Sequence, residues 1–433
     1  MRRFVRIVIA CLLAVAVTAC GGGNNDSLTS NPASTQSFEV ATFLAPQNDM
    51  LELTPFPGQG PQFPAFQEQT LRQIAHVSAG GKAIRIKFSN LFGTTPLTLD
   101  KVHVAKSLGG GVVDLTTDKP LTFSGSASVT IPVGQELYSD LLTFALAPVS
   151  DLSVSIYMKN ATVRTAHRSS TTTSFVGGGD LTASASIPNP TTSVSTYYMP
   201  EIDVTRDTKV NVVVAFGDSI TDGVASTENT YSNWPDQLSA IANSKFDVSV
   251  VNAGLGGNRW VKDDFGPCGL CRFQRDVLDA KGVTHVIILL GNNDIGLGYE
   301  YDNIYKDPNW LVTTQQMTSN MQTAINMAKA KGIKVYAGTI VPFKGSFYYT
   351  SGQPNEVAYG QTLPYNGEAM RETFNSFIRT NSTVDGVIDF DKTLQDPSDP
   401  LQQRAAWNSG DNLHPNDAGY ANIARSIDLS LLK

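Results

Sequence analysis

The chain has 433 residues, 41% of them hydrophobic and 16% charged, with a formal net charge of −7 at neutral pH. That is apolar material enough for two cores, and the acidic balance without a basic patch excludes nucleic acid as an expected partner. It also disfavours polyanionic substrates.

Residues 1–20 read as a targeting segment. Arg2, Arg3 and Arg6 precede a mostly apolar run, Ile7 to Thr18, that is too short to span a bilayer comfortably. Val17-Thr18-Ala19-Cys20 resembles a bacterial lipobox. The resemblance implies export, lipidation of Cys20 and a lipid anchor in a membrane, on the periplasmic or cell-surface side. Gly21, rather than aspartate, after the cysteine points to the outer membrane. The plainer alternative is an ordinary secretory signal with Cys20 incidental. Residues 21–37 are mostly Gly, Asn, Ser, Thr and Pro, a composition that cannot bury a core and reads as a flexible tether.

Residues 38–205 predict a separate all-β, sandwich-like domain. Ile84, Ile86 and Phe88 alternate with charged residues, as do Leu152, Val154 and Ile156 with polar ones. Leu97, Leu99, Val102 and Val104 alternate with one slip of phase, read as a bulge. No catalytic constellation is evident here. The region is expected to be a packing partner, with a carbohydrate-binding module as the sharper alternative and Tyr197-Tyr198 as its weak hint.

Residues 206–433 alternate strand and helix. Strands are expected at 211–216, 248–252, 284–290, 333–340 and 385–390. Apolar residues recur at helical spacing at Met317, Met321, Ile325 and Ala328, at Met370, Phe374, Phe377 and Ile378, and at Tyr420, Ile423, Ile427 and Leu431. The alternation predicts an α/β fold with a parallel sheet covered on both faces. No full phosphate loop, dinucleotide fingerprint or His-Glu-x-x-His is present, so no cofactor and no metal is expected.

The chemistry gathers at the carboxyl ends of these strands, where open α/β sheets bind ligands. Val212 to Phe216 runs into Gly217-Asp218-Ser219, which puts Ser219 on a strand-end turn. An ordinary capped turn would look the same, so the reading depends on a base elsewhere. Of the five histidines, His103 sits in a strand pattern, His285 opens an apolar run, and His76 and His167 fall in the N-terminal half. His414 lies on a loop, three residues after Asp411, an arrangement that supplies a serine with a base and the base with an orienting carboxylate. Two further turns, Asn252–Arg259 and Gly291–Asp294, offer a glycine N–H and an asparagine amide at the same sheet edge.

Taken in order, these four blocks resemble the SGNH (GDSL) hydrolase superfamily over roughly residues 210–433. The resemblance implies a three-layer α/β/α fold, with Ser219 as nucleophile, His414 as general base and Asp411 as its partner. It implies an oxyanion hole from the Ser219 N–H, the Gly257 N–H and the Asn293 side chain. Gly257 is preferred to Gly254 because the family's spacing puts the donor at the second glycine. Asn292 departs from the threonine or isoleucine often found there.

Cys268 and Cys271 are the only pair left once the leader is removed, and in an oxidising compartment they are expected to form a disulfide. Trp234, Trp260 and Trp407 lie near the blocks and would either wall a pocket or fill the core. The sequence thus predicts an exported serine esterase acting on a small-molecule or glycan ester through an acyl-enzyme. A carbohydrate O-deacetylase and an inactive surface-binding lipoprotein are the alternatives.

Overall fold

A computed structural model describes residues 37–51, 65–305, 308–346, 348, 357–358, 361–362 and 367–433. The leader, Cys20 and the tether up to residue 36 lie outside the described residues. Ser37–Lys433 forms one compact unit.

The C-terminal half is built on a five-stranded parallel sheet. In chain order its strands are Asn211–Gly217, Val248–Gly254, Val283–Leu289, Lys334–Gly338 and Gly386–Ile388. In space the second strand lies at one edge, followed by the first, third, fourth and fifth. Val212 through Phe216 are completely buried, and they feed two cores in alternation. Val212, Val214 and Phe216 join the cluster that holds Met317, Met321 and Phe374, while Val213 and Ala215 join the one that holds Trp234, Leu238, Tyr420 and Ile423. A strand buried on both faces cannot alternate apolar with polar residues, which is why this one reads as a continuous run. Thr313 and Gln316 close a reciprocal capping box on the Thr314–Ala330 helix, and Asn416 caps Asp417–Ser426. The chain leaves the first strand for the second at one edge and the third strand for the fourth on the other side, so a crevice opens between the carboxyl ends of the first and third strands.

Among its described residues the N-terminal half is built of antiparallel strands, with one 3-10 turn at Leu115–Thr117. Phe38–Leu44, Glu201–Arg206, Gly81–Ser89 and Glu136–Tyr138 lie in one sheet; Ala65–Val77, Ser150–Thr162, Lys101–Gly109 and Ser174–Gly178 lie in a second. Ile84, Ile86, Phe88, Leu152, Val154 and Ile156 are fully buried in a single cluster. The phase slip between Leu99 and Val102 is not a bulge. Leu97–Leu99 pairs with Val129–Ile131 and Lys101–Gly109 with Ser150–Thr162, so the slip marks a change of sheet. Tyr197 and Tyr198 are buried, at 0% and 1% exposure, and offer no surface on which a sugar could stack.

The same core cluster continues from these strands to Val212, Val214 and Phe216. Hydrogen bonds cross with it. Ser249 Oγ donates to the Ala41 carbonyl at 2.6 Å, the Ala41 N–H donates to the Lys281 carbonyl at 2.8 Å, and the Ser78 and Ser239 hydroxyls meet at 2.7 Å. The β region is therefore joined to the edge strand Val248–Gly254 and the segments beside it by packing and by buried polar contacts.

Candidate active site

The first strand ends on Gly217, a position with no room for a side chain. A Cβ there would lie 2.1 Å from Thr221 Oγ1 and 2.3 Å from the Leu289 carbonyl. Asp218 then caps a four-residue helix, Ser219–Asp222, by accepting the Ile220 N–H at 3.1 Å. Burial pushes the Asp218 carboxyl up to about 6. As the first residue of that helix, Ser219 has an N–H with no acceptor inside it. Its hydroxyl lies 2.8 Å from His414 Nε2.

His414 is held from its own loop. Its Nδ1 is 2.5 Å from Asp411 Oδ2. Asp411 Oδ1 accepts three further bonds, from the N–H groups of Leu413 and His414 at 2.8 Å each and from Ser409 Oγ at 3.0 Å. Partial burial pushes the Asp411 carboxyl up, but the His414 contact and these backbone donors outweigh it and hold the group well below the usual carboxylate range. Gln403 braces the loop from beneath, donating to the Leu413 carbonyl at 2.7 Å. The result is a continuous relay of carboxylate, imidazole and hydroxyl. Such a relay can take a proton from the serine as it attacks and return it to a leaving group.

The glycine block contains two glycines with different tasks. A Cβ on Gly254 would lie 2.1 Å from the Asp222 nitrogen, so this residue lets two chain segments pack together. Gly257 has φ of +78°, and a Cβ there would lie 2.5 Å from the Phe265 ring. Gly257 lines the cleft with Ser219 and His414, and Gly254 does not. The Asn293 amide is fixed by two partners. Its Nδ2 donates to the Asn258 carbonyl at 3.0 Å, and its Oδ1 accepts from the Tyr348 hydroxyl at 2.6 Å. This orientation is set by bonding, because a carbonyl can only accept. It leaves the second Nδ2 hydrogen for the cleft.

Ser219, His414, Gly257 and Asn293 open together into a cleft of about 460 Å³. Val224, Phe265, Leu297 and Tyr348 supply its apolar walls, and Arg168 and Ser169 of the β region close one side. All five residues singled out in the sequence for catalysis thus come together here, with Asp411 behind His414.

Residues 215–421 match the family model described as the GDSL-like Lipase/Acylhydrolase family. Over that span the chain belongs to this family. Hydrolases of the family act on esters, and the GDSL region is a carboxylic ester hydrolase in that general sense. No curated protein matches the chain. Among solved structures, the chain is similar to a member of the lipolytic protein G-D-S-L family from Veillonella parvula DSM 2008, at 21% identity, TM-score 0.34, covering 50% of this chain and 94% of that one. It is similar to the M. smegmatis aryl esterase at 16% identity, TM-score 0.34, covering 50% and 95%. Est24, a carbohydrate acetylesterase from Sinorhizobium meliloti, aligns at 15% identity, TM-score 0.33, covering 49% and 94%.

Several residues that organise the GDSL region gave no sequence signal of their own. Arg272 is completely buried, and its guanidinium reaches the carbonyls of Gly217 at 2.7 Å and Ala253 at 2.9 Å, Asn258 Oδ1 at 2.8 Å and Asp276 at 3.1 Å. One side chain therefore ties the ends of the first two strands to the glycine block. Its only mark in the sequence is the four-residue spacing to Asp276. Burial lowers its pKa to about 10, so it remains charged at neutral pH. Cys268 and Cys271 are disulfide-bonded at the start of the helix that carries Arg272. Asp294 accepts the N–H groups of Trp260 at 2.7 Å and Val261 at 3.2 Å, joining the asparagine block to the glycine block.

The tryptophans do not wall the cleft. Trp234 and Trp260 are fully buried, the latter donating Nε1–H to the Leu290 carbonyl at 2.9 Å, and Trp407 packs under the Arg404 guanidinium. The apolar walls come instead from Val224, Phe265 and Tyr348 and from Leu297 on the Asn292–Tyr305 helix. Of the histidines set aside, His76 and His103 pair with Asp151 and Asp118, and burial lowers the His285 pKa to about 4.

Proposed function

We propose that the protein is a serine esterase that cleaves carboxylic esters through an acyl-enzyme, on the three-layer α/β/α scaffold of the SGNH hydrolases. The observation that carries this reading is the unbroken Asp411–His414–Ser219 relay at the mouth of a cleft shared with Gly257 and Asn293. Ser219 attacks the ester carbonyl as His414 Nε2 takes its proton. The Ser219 and Gly257 N–H groups and the Asn293 amide hold the oxyanion. His414 then protonates the leaving alcohol, and a water activated by the same imidazole releases the acid. A cleft of about 460 Å³ fits a compact acyl group and part of an alcohol. The test is a panel of p-nitrophenyl acyl esters beside acetylated polysaccharides, run with the wild type and Ser219→Ala. Serine-dependent release of acid from the panel supports the reading. Hydrolysis of none of these substrates overturns it and favours a binding protein. Release confined to the polysaccharides would narrow the reading to a carbohydrate O-deacetylase.

The oxyanion role makes a separate demand on Asn293. Binding that exists only at the tetrahedral stage lowers kcat and leaves KM nearly unchanged. Asn293→Ala is expected to lose about 10²–10³ in kcat. Tyr348→Phe, which frees the amide to turn, is expected to show the same pattern at smaller size. A rise in KM at constant kcat would make the Gly291–Asp294 turn a binding loop instead.

We further propose that the protein is exported and anchored by a lipid on Cys20, supported by the basic n-region, the short apolar run and the lipobox-like Val17–Cys20. Expressed in a bacterial host, the wild type is expected in the membrane fraction and Cys20→Ser in the soluble one. A wild type recovered wholly soluble, with its N-terminus beyond Cys20, contradicts the anchor.

A further inference from the structure

We propose that His167, carried by the N-terminal β region, is a positioning residue for the oxyanion hole, acting through Asp222 on the glycine block. The inference rests on the reading of Ser219 and Gly257 given above.

His167 ends the short strand Thr165–His167, and its ring is buried at 5% exposure. Nδ1 lies 2.9 Å from the Pro46 carbonyl oxygen and Nε2 lies 2.9 Å from Asp222 Oδ1. The Pro46 carbonyl can only accept, and so can a carboxylate; facing an ionised Asp222, each ring nitrogen carries a hydrogen and the imidazole is a cation. Burial alone would pull the ring's pKa down. The charge and hydrogen bond of Asp222, with the Pro46 carbonyl, outweigh both burial and the nearby Arg272 charge, and the pKa is raised.

Asp222 is itself buried, at 5% exposure, and touches both halves of the site. It is the last residue of the short helix that begins at Ser219. Its Oδ2 accepts the Gly256 N–H at 3.0 Å, and its main chain packs against Gly254 too closely for any side chain there. Gly256 immediately precedes the proposed donor Gly257. The carboxylate therefore fixes the Leu255–Gly256 peptide, next to the one that carries the donor, relative to the turn that aims the nucleophile. A buried carboxylate holds such a position only when its charge is matched. Among the described residues, His167 is the cation in ion-pair contact with it.

The β region thus does more than cover the parallel sheet: it supplies the counter-charge for the link between two catalytic blocks. His167 touches no reacting atom, so its loss should act through the geometry of the oxyanion hole. The test compares wild type, His167→Ala, His167→Gln and Asp222→Asn in the full chain, with active sites counted by fluorophosphonate labelling. Per labelled site, His167→Ala is expected to lose about 10-fold or more in kcat, a part of what removal of a donor costs, with KM within twofold. Affinity for a boronate that forms a tetrahedral adduct on the serine should weaken in the same proportion. His167→Gln keeps a donor to Asp222 without the charge and should recover part of the loss.

A merely structural role would lower the count of labelled sites and leave their kcat and boronate affinity unchanged, which overturns the proposal. Should His167→Ala fail to fold, His167→Gln and Asp222→Asn decide: per-site kcat within twofold of wild type in both overturns it. Ser219→Ala is run alongside. If that variant stays active the site reading fails first, an outcome distinct from an intact serine enzyme that is indifferent to His167.

Discussion

Ser219→Ala is expected to lower kcat on a short p-nitrophenyl ester by about 10⁶-fold, the scale on which removal of a triad serine acts. The loss is large because the hydroxyl 2.8 Å from His414 Nε2 is the group that would become the acyl ester, and alanine has nothing to put in its place. The fold should not notice. The turn is held by Asp218, Gly217 and the Arg272 guanidinium rather than by the serine side chain. Melting temperature should therefore stay within a degree or two of the wild type. A fluorophosphonate should label the wild type at Ser219 alone and leave the variant unlabelled. Retention of activity in a folded alanine variant would remove the serine mechanism.

Asp411→Asn should cost about 10⁴ in kcat, as it does when a triad aspartate is made neutral without a change of shape. The hydrogen bonds give the reason. Oδ1 of Asp411 accepts two backbone N–H groups and the Ser409 hydroxyl, so an asparagine must keep its oxygen there. Its NH₂ then faces His414 Nδ1 at the place Oδ2 now occupies, 2.5 Å away in the wild type. That nitrogen must become the acceptor, the ring proton moves to Nε2, and Nε2 can no longer take the proton of Ser219. Fluorophosphonate should still label Ser219 in this variant, but slowly. A fall of less than tenfold would mean that His414 is oriented by its backbone and not by the carboxylate.

The parts of this protein that sequence exposes are those where local rules and the fold agree. Strands buried on both faces must be apolar throughout, so Val212–Phe216 and Val286–Leu290 announce themselves. The reactive residues follow at once, because the turn after such a strand is where a side chain can reach the crevice. Where the chain must reach across the fold, the signal disappears. Arg272 looks like any arginine until the carbonyls of Gly217 and Ala253 are brought to it from 55 and 19 residues away. His167 lies 55 residues from Asp222, in a half of the chain with no catalytic pattern. Tyr348 is likewise 55 residues from Asn293. The Leu99–Val102 slip shows the same limit in a milder form: periodicity reports that the pattern breaks, but not that each side belongs to a different sheet. The tryptophans left two readings open, pocket wall or core, because proximity in sequence to a reactive block carries no information about which face of the backbone a ring takes.

The Arg272 guanidinium has a consequence for redesign. It and the Asp294 carboxylate hold the backbone frame of the site from behind, whereas Val224 and Leu297 line the cleft with apolar side chains alone. Frame and lining are thus separate modules. On the proposed esterase reading, selectivity for acyl length would be recut at Val224 and Leu297 by adding or removing methylenes, each worth a modest factor in rate. The same freedom does not extend one layer back. Any exchange at Arg272 strands two backbone carbonyls and the Asn258 amide oxygen at once, so a library that randomises the lining should yield altered enzymes, and one that randomises the frame should yield mostly insoluble protein.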